Sequence, residues 1–268
     1  MIESIRNIYL WRDLVRNMIL RNLRIRYKGS ALGFFWTMIN PLFMMGIYFI
    51  FISLLKIPIS LPQLLIGILA WQFFTMCLSD SVAVITGYPS LIKRTHFPRL
   101  IFPFSMVAAN LVNFLLSLLV LAVFLIVYTL ASGHPLYLGA SWLLLPLVIV
   151  LQTILILGLA NFFSCLNVYF KDVEHIMSII LLAWFFLSPI MYPLAKVREV
   201  AAAKGPWIFN LYILNPMASI VTCYRHAILG SPLPETLFFY LSLLLSPIIL
   251  ILGTRLFLKK EPYFADEM

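Results

Sequence analysis

The chain has 268 residues, of which 63% are hydrophobic and 11% charged, with a net charge of +9. A soluble domain carries about a quarter charged residues; too few polar side chains are present here to cover a water-facing surface, so lipid must be part of the solvent. The positive excess points away from nucleic acid, because seven of the 19 basic residues lie between Arg6 and Lys28, ahead of the first long apolar run. Basic residues beside a membrane span face the cytoplasm and its anionic lipid.

The N-terminal arm, residues 1–30, reads as an amphipathic helix. Ile5, Ile8, Trp11, Val15, Met18 and Ile19 fall on one face, with Arg6, Asp13, Arg16 and Asn17 largely on the other. Such a helix lies in the membrane interface; the plainer alternative is a basic tail that only sets orientation. Gly29 and Gly33 then permit a sharp turn into the first span, and their GxxxG spacing also allows a close helix approach.

About 20 apolar residues cross the hydrocarbon core. The first such run is 31–55 and the second 61–86, broken only by Asp80. An ionisable residue at that depth is costly; it serves transport, or it reaches the interface or an Arg. No charge occurs between Arg99 and Lys171, room for two crossings, and Ser132-Gly133-His134-Pro135 divides the stretch into 102–131 and 142–165. A fifth run covers 176–194 and a sixth 236–254. Residues 207–224 are uncharged but interrupted by Asn215-Pro216, and are assigned as a broken, re-entrant or interfacial segment. The predicted fold is an all-α integral membrane protein: one domain with an arm (1–30), a six-span region (31–258) and a short tail (259–268). With both termini cytoplasmic, 14 basic residues fall inside and five outside, the asymmetry expected for that orientation.

Cys77, Cys165 and Cys223 lie far apart in apolar surroundings and form no CxxC or disulfide framework. His96, His134, His175 and His226 show no ligand spacing, so no metal site is expected. No paired carboxylates or Ser–His–Asp set can be placed on one membrane side, so catalysis in this chain is not expected.

The string RYKGSALGFFWTMINPL resembles the approach to the first span in type-2 ABC exporter permeases, above all those for lipid-linked polysaccharides such as O antigen. The likeness continues in order through LIKRTHFPR (91–99), NVYFKD (167–172), SPIMYP (188–193), Asn215-Pro216, Tyr224-Arg225 and the tail Phe264-Ala265-Asp266. The resemblance implies a channel formed by two copies, paired with separate nucleotide-binding subunits that bind ATP and Mg, and no cofactor in this chain. The sequence agrees in lacking any G-x-x-x-x-G-K-[ST] phosphate loop. Implied partners are that ATPase, a second copy, the lipid-linked glycan and membrane lipids of a bacterial inner membrane.

The resemblance also implies an ATPase-coupling segment at Leu91, Ile92, Lys93, Arg94, His96, Phe97 and Arg99, with Lys171 and Asp172; topology-setting charge is the plainer alternative. Trp36, Tyr48, Trp71, Phe73, Phe74, Trp184, Phe185 and Tyr192 are candidates for a sugar-facing wall, since aromatic faces suit the apolar C–H faces of sugars. For any one of them, interfacial or lipid-facing packing is the competing account. Asn215, Pro216 and Met217 are gate candidates. Two other functions compete with glycan export. A permease of the same type for a smaller lipid or drug fits the same spans. An intramembrane enzyme of glycan or lipid metabolism would need acidic or His clusters at a membrane face.

Overall fold

The computed structural model describes residues 10–33, 35–94, 97–133, 137 and 139–267. Among them every regular element is helical: α1 (Arg12–Tyr27), α2 (Phe35–Leu54), α3 (Leu61–Val82), α4 (Pro89–Arg94), α5 (Ile101–Ser132), α6 (Leu145–Tyr169), α7 (Val173–Phe186), α8 (Leu194–Lys204), α9 (Pro206–Ile213), α10 (Pro216–Leu229) and α11 (Leu237–Lys260). Short 3₁₀ turns, Ala140–Leu144 and Glu261–Tyr263, precede α6 and follow α11.

Five of these helical stretches, built on α2, α3, α5, α6 and α11, are long and apolar enough to cross a membrane. The fifth apolar run differs from its expected bounds. In place of one span over 176–194, the helix is Val173–Phe186 and the chain turns through 187–192. Pro189 explains the stop: it disfavours helical geometry at Ser188, whose hydroxyl instead donates to the Trp184 carbonyl at 2.9 Å. The break expected at Asn215-Pro216 is present, between α9 and α10.

α3 is the hub. Its start is fixed by a capping box in which Ser60 Oγ accepts from the Gln63 amide, while Gln63 Oε1 accepts from the Ser60 amide. It is buried over most of its length, packed by α2, α5, α6, α7 and α10. α6 and α11 form the most extensive helix pair. A methyl group at Gly158 would stand 2.6 Å from the Ile249–Leu250 backbone, and one at Gly253 would overlap the Gly158 carbonyl oxygen. Small residues let backbones close up where lipid supplies no hydrophobic drive for association. The GxxxG of the arm is not such a crossing: Gly29 and Gly33 have φ of 79° and 49° with open space about each, so both serve the turn.

Apolar burial divides between two clusters. The larger fills the bundle around Phe74, Leu78, Ile156, Met217 and Tyr224. The smaller gathers Val15 and Met18 of α1 with Ile85, Ile92, Phe102, Val168, Phe257 and Phe264. The arm and the tail therefore lie at one end of the bundle, here the arm end. Ile5 and Ile8 of the proposed amphipathic face fall outside the described residues.

Candidate functional site

At the arm end, the smaller cluster assembles the expected coupling segments. Ile92 is buried and seats α4, and the Phe97 ring lies between those of Trp11 (6.2 Å) and Phe102 (5.5 Å). Thr86, just before α4, accepts from Asn167 Nδ2 at 3.4 Å, just before the turn carrying Lys171 and Asp172. The sequence places these two stretches about 80 residues apart; the fold makes them neighbours. Lys93, Lys171 and Asp172 are exposed. Leu91 and Arg94 lie on α4, and His96 falls outside the described residues.

Arg99 has a different role from its neighbours. Its amide donates to Glu261 Oε1 at 2.6 Å and its guanidinium donates to the Glu261 carbonyl. It ties the start of α5 to the tail, where Phe264 is buried against Phe257 and Tyr169. Arg21 lies over the Tyr88 ring, 4.9 Å from its centroid, and adds a further link from arm to bundle.

Asp80 meets an Arg, as one reading of its position allowed. Arg26 Nη2 pairs with Asp80 Oδ2, and the same oxygen accepts from Asn110 Nδ2 at 2.9 Å. The cation and the amide offset the burial of a carboxylate at that depth. Beside this trio a cleft of about 230 Å³ opens between α2, α3 and α5, with Trp36, Gln72, Asn113 and Ser117 in its walls.

The far end carries a second polar cluster. Arg225 of α10 is 5% exposed and donates to three backbone carbonyls: Gln63 (3.2 Å), Ile190 (3.0 Å) and Tyr192 (3.4 Å). It thereby fastens α10 to the start of α3 and to the turn after α7. Gly67 makes room: a methyl there would come within 3.2 Å of the Ile190 backbone and 3.3 Å of Arg225 Nη2. Nearby, Tyr224 donates to Gln152 Oε1 at 2.8 Å, and Gln152 Nε2 donates to the Ala70 carbonyl at 2.7 Å.

Asn215 is the joint between these parts. Its Oδ1 accepts from Trp184 Nε1 (2.7 Å) and from the Met217 amide (3.0 Å). Its Nδ2 donates to the Leu187 carbonyl and to Ser188 Oγ. One side chain thus caps α10 and fixes the end of α7. The Tyr192 hydroxyl reaches Tyr212 of α9 at 3.1 Å.

Several aromatic candidates prove to be joined. Tyr48 meets Phe185 (5.6 Å), Phe185 meets Trp71 (5.8 Å), Trp71 meets Phe74 (5.2 Å), and Phe74 meets Trp184 (5.1 Å). The series ends on Asn215 through the Trp184 N–H. Tyr48, Trp71 and Phe185 also line a groove between α2, α3 and α7. Phe73 stands apart, stacked on Phe114 at 4.6 Å, and Trp36 lies on the separate cleft of α2 and α5. Phe74, Pro216 and Met217 are buried in the single chain.

The partners of Asp80 and the bonds of Arg225 were not legible as a site. A usable signal did exist. Asn110, Asn113 and Ser117 recur at helical spacing in an otherwise apolar run, which marks a polar stripe. No periodicity marks Arg225, which sequence reading gives only within the Tyr224-Arg225 pair and as one outside charge.

These features define a multi-pass membrane protein in which short helices and turns are stitched onto a bundle of spans at both ends. Residues 13–229 match the ABC-2 type transporter family, and the chain belongs to it. It is similar to the O-antigen export system permease protein RfbA of Myxococcus xanthus, at 30% identity with both chains covered in full. An RfbA of Klebsiella pneumoniae shares 32% identity over 95% of this chain and 94% of its own. The polysialic acid transport protein KpsM of Escherichia coli shares 23% over 92% of this chain and 93% of its own.

Proposed function

We propose that this chain is the transmembrane subunit of an ABC exporter that carries a lipid-linked, O-antigen-like polysaccharide across the bacterial inner membrane. The observation that carries this reading is likeness over the full length, at 30% identity, to a permease of an O-antigen export system. The groove lined by Tyr48, Trp71 and Phe185 supports it, because aromatic side chains suit the apolar C–H faces of sugars. Two copies form the channel, and a separate ABC subunit binds ATP with Mg and hydrolyses it.

In this reading the chain crosses six times, with both termini cytoplasmic. α7 leaves the turn at Lys171 and Asp172, and the turn after it is held by Arg225, which supports counting α7 as a crossing. α1 lies in the interface. α9 and α10 form the re-entrant segment and close the outer mouth where two copies meet, with Asn215, Pro216 and Met217 at the break. A lipid-exposed break would strand backbone groups; the Asn215 bonds and the burial of α10 remove that penalty. A closed mouth is needed because a pore wide enough for a sugar chain would leak ions.

α4 and the Lys171–Asp172 turn are the coupling surface, with Lys93 exposed upon it. The test is co-purification with the partner ATPase, followed by ATPase assays with lipid-linked glycans. Charge reversal by Lys93→Glu with Arg94→Glu should release the ATPase while the chain still inserts. If association and export both survive, α4 sets topology only. If the paired ATPase is not stimulated by any lipid-linked glycan, the substrate assignment fails.

A further inference from the structure

We propose that the cleft beside Asp80 and the groove next to it form one binding site for an anionic glycerophospholipid of phosphatidylglycerol type, drawn from the leaflet that meets the N-terminal arm. The cleft is walled by Arg26, Trp36, Thr37, Gln72, Asn113 and Ser117. Around it the bundle is strongly apolar: Phe43, Ile47, Leu115 and Leu119 are all exposed on α2 and α5. The cleft sets its polar side chains beside Leu69, Phe73, Met76 and Phe114, so it suits an amphiphile whose polar part meets the amides and whose apolar part meets the rings.

Charge selects among polar groups. One oxygen of Asp80 takes Arg26 Nη2, and Arg26 Nη1 has Met76 Sδ at 4.0 Å. A thioether is a poor acceptor, so this nitrogen retains capacity for a phosphate oxygen. Arg24 on α1 and Lys28 just past its end are both exposed. Three cations against one carboxylate leave a positive rim. A zwitterionic headgroup would set its ammonium against that rim, whereas a phosphoglycerol brings a bare phosphate and two hydroxyls for the amides of the cleft.

Shape supplies the second half of a lipid. Asn113 is a wall of the cleft and also of a groove between α1 and α5 formed by Leu20, Leu23, Val112 and Leu116, with Arg24 and Lys28 at its edge. The phosphate sits at the basic edge, the glycerol enters the polar cleft, and an acyl chain follows the apolar groove. The lipid would cement α1 to the bundle where Arg26 already reaches Asp80.

The full chain, purified in mild detergent, is titrated with phosphatidylglycerol and with phosphatidylcholine and read by native mass spectrometry. Phosphatidylglycerol should be held about tenfold more tightly, the scale of one charge-assisted contact set. Lys28→Gln on the exposed rim and Arg26→Gln should each lower its retention several-fold. Leu116→Trp, which fills the groove without altering charge, should lower retention of both lipids. Equal retention of the two lipids by the unaltered chain would overturn the proposal, as would unchanged retention in Lys28→Gln and Leu116→Trp. Displacement of phosphatidylglycerol by an equal amount of a polyprenyl phosphosugar would also overturn it, assigning the site to transported lipid. The assignment does not rest on the export reading: loss of selectivity leaves that reading intact, and failure of glycan-stimulated ATPase leaves this one intact.

Discussion

The two ends of the bundle hold their short elements by opposite means. At the arm end, Arg26 faces a carboxylate, and both side chains are only part-buried, at 24% and 32% exposure. At the far end, Arg225 is almost wholly buried and meets three backbone carbonyls. Where water reaches such a part-buried pair from the interface, salt screens it and its worth is small. A buried guanidinium that satisfies several carbonyls is hard to replace, because removing it strands those of the turn at Ile190 and Tyr192, while Gln63 keeps its place in the α3 ladder. The arm end is thus built for adjustment and the far end for fixed geometry. This accords with the ATPase proposed at one end and the closed mouth proposed at the other.

The largest expected effect comes from breaking the far end. Arg225→Met should destabilise the chain by on the order of 3 kcal/mol, chiefly through the unpaired turn carbonyls of Ile190 and Tyr192. Thermal unfolding in detergent measures the loss, and proteolysis within 205–232 should rise. Arg225→Lys should recover less than half, because an ammonium lacks the planar fork that spans three acceptors. Full recovery by Lys would mean that charge alone holds α10.

Next is Asn215→Ala, which removes a helix cap and the partner of Trp184, at about 1.5 kcal/mol in the same melt. Asn215→Asp keeps the acceptor and should recover the cap while losing the bonds to Leu187 and Ser188. At the arm end, a double-mutant cycle of Arg26→Gln and Asp80→Asn should give a coupling of about 1 kcal/mol. Raising salt should shrink that coupling and leave the Arg225 variants unchanged. A coupling that survives high salt would put Arg26 and Asp80 in the same class as Arg225 and erase the contrast. The smallest effect belongs to Glu261→Gln, which retains an acceptor for the Arg99 amide and leaves the Glu261 carbonyl in place; the melt should shift by about 0.5 kcal/mol or less.

The sequence by itself determined the parts that depend on local composition. Long uncharged runs gave five long apolar helices to within about six residues, though the run 176–194 became a helix that stops at Phe186; Gly133 ended α5 with φ of 70°, and Asn215-Pro216 broke the segment before α11. Backbone polarity in lipid leaves few alternatives to a helix, so these outcomes need no knowledge of neighbours. Only the tertiary structure decided which polar residues meet. Arg26 and Asp80 are 54 residues apart, Arg225 and Gln63 are 162, and no periodicity links them. It also decided that the close helix crossing runs through Gly158 and Gly253 rather than through the conspicuous GxxxG of the arm. A glycine's freedom serves a turn or a crossing equally well, and what chooses between them is whether another backbone arrives at that face.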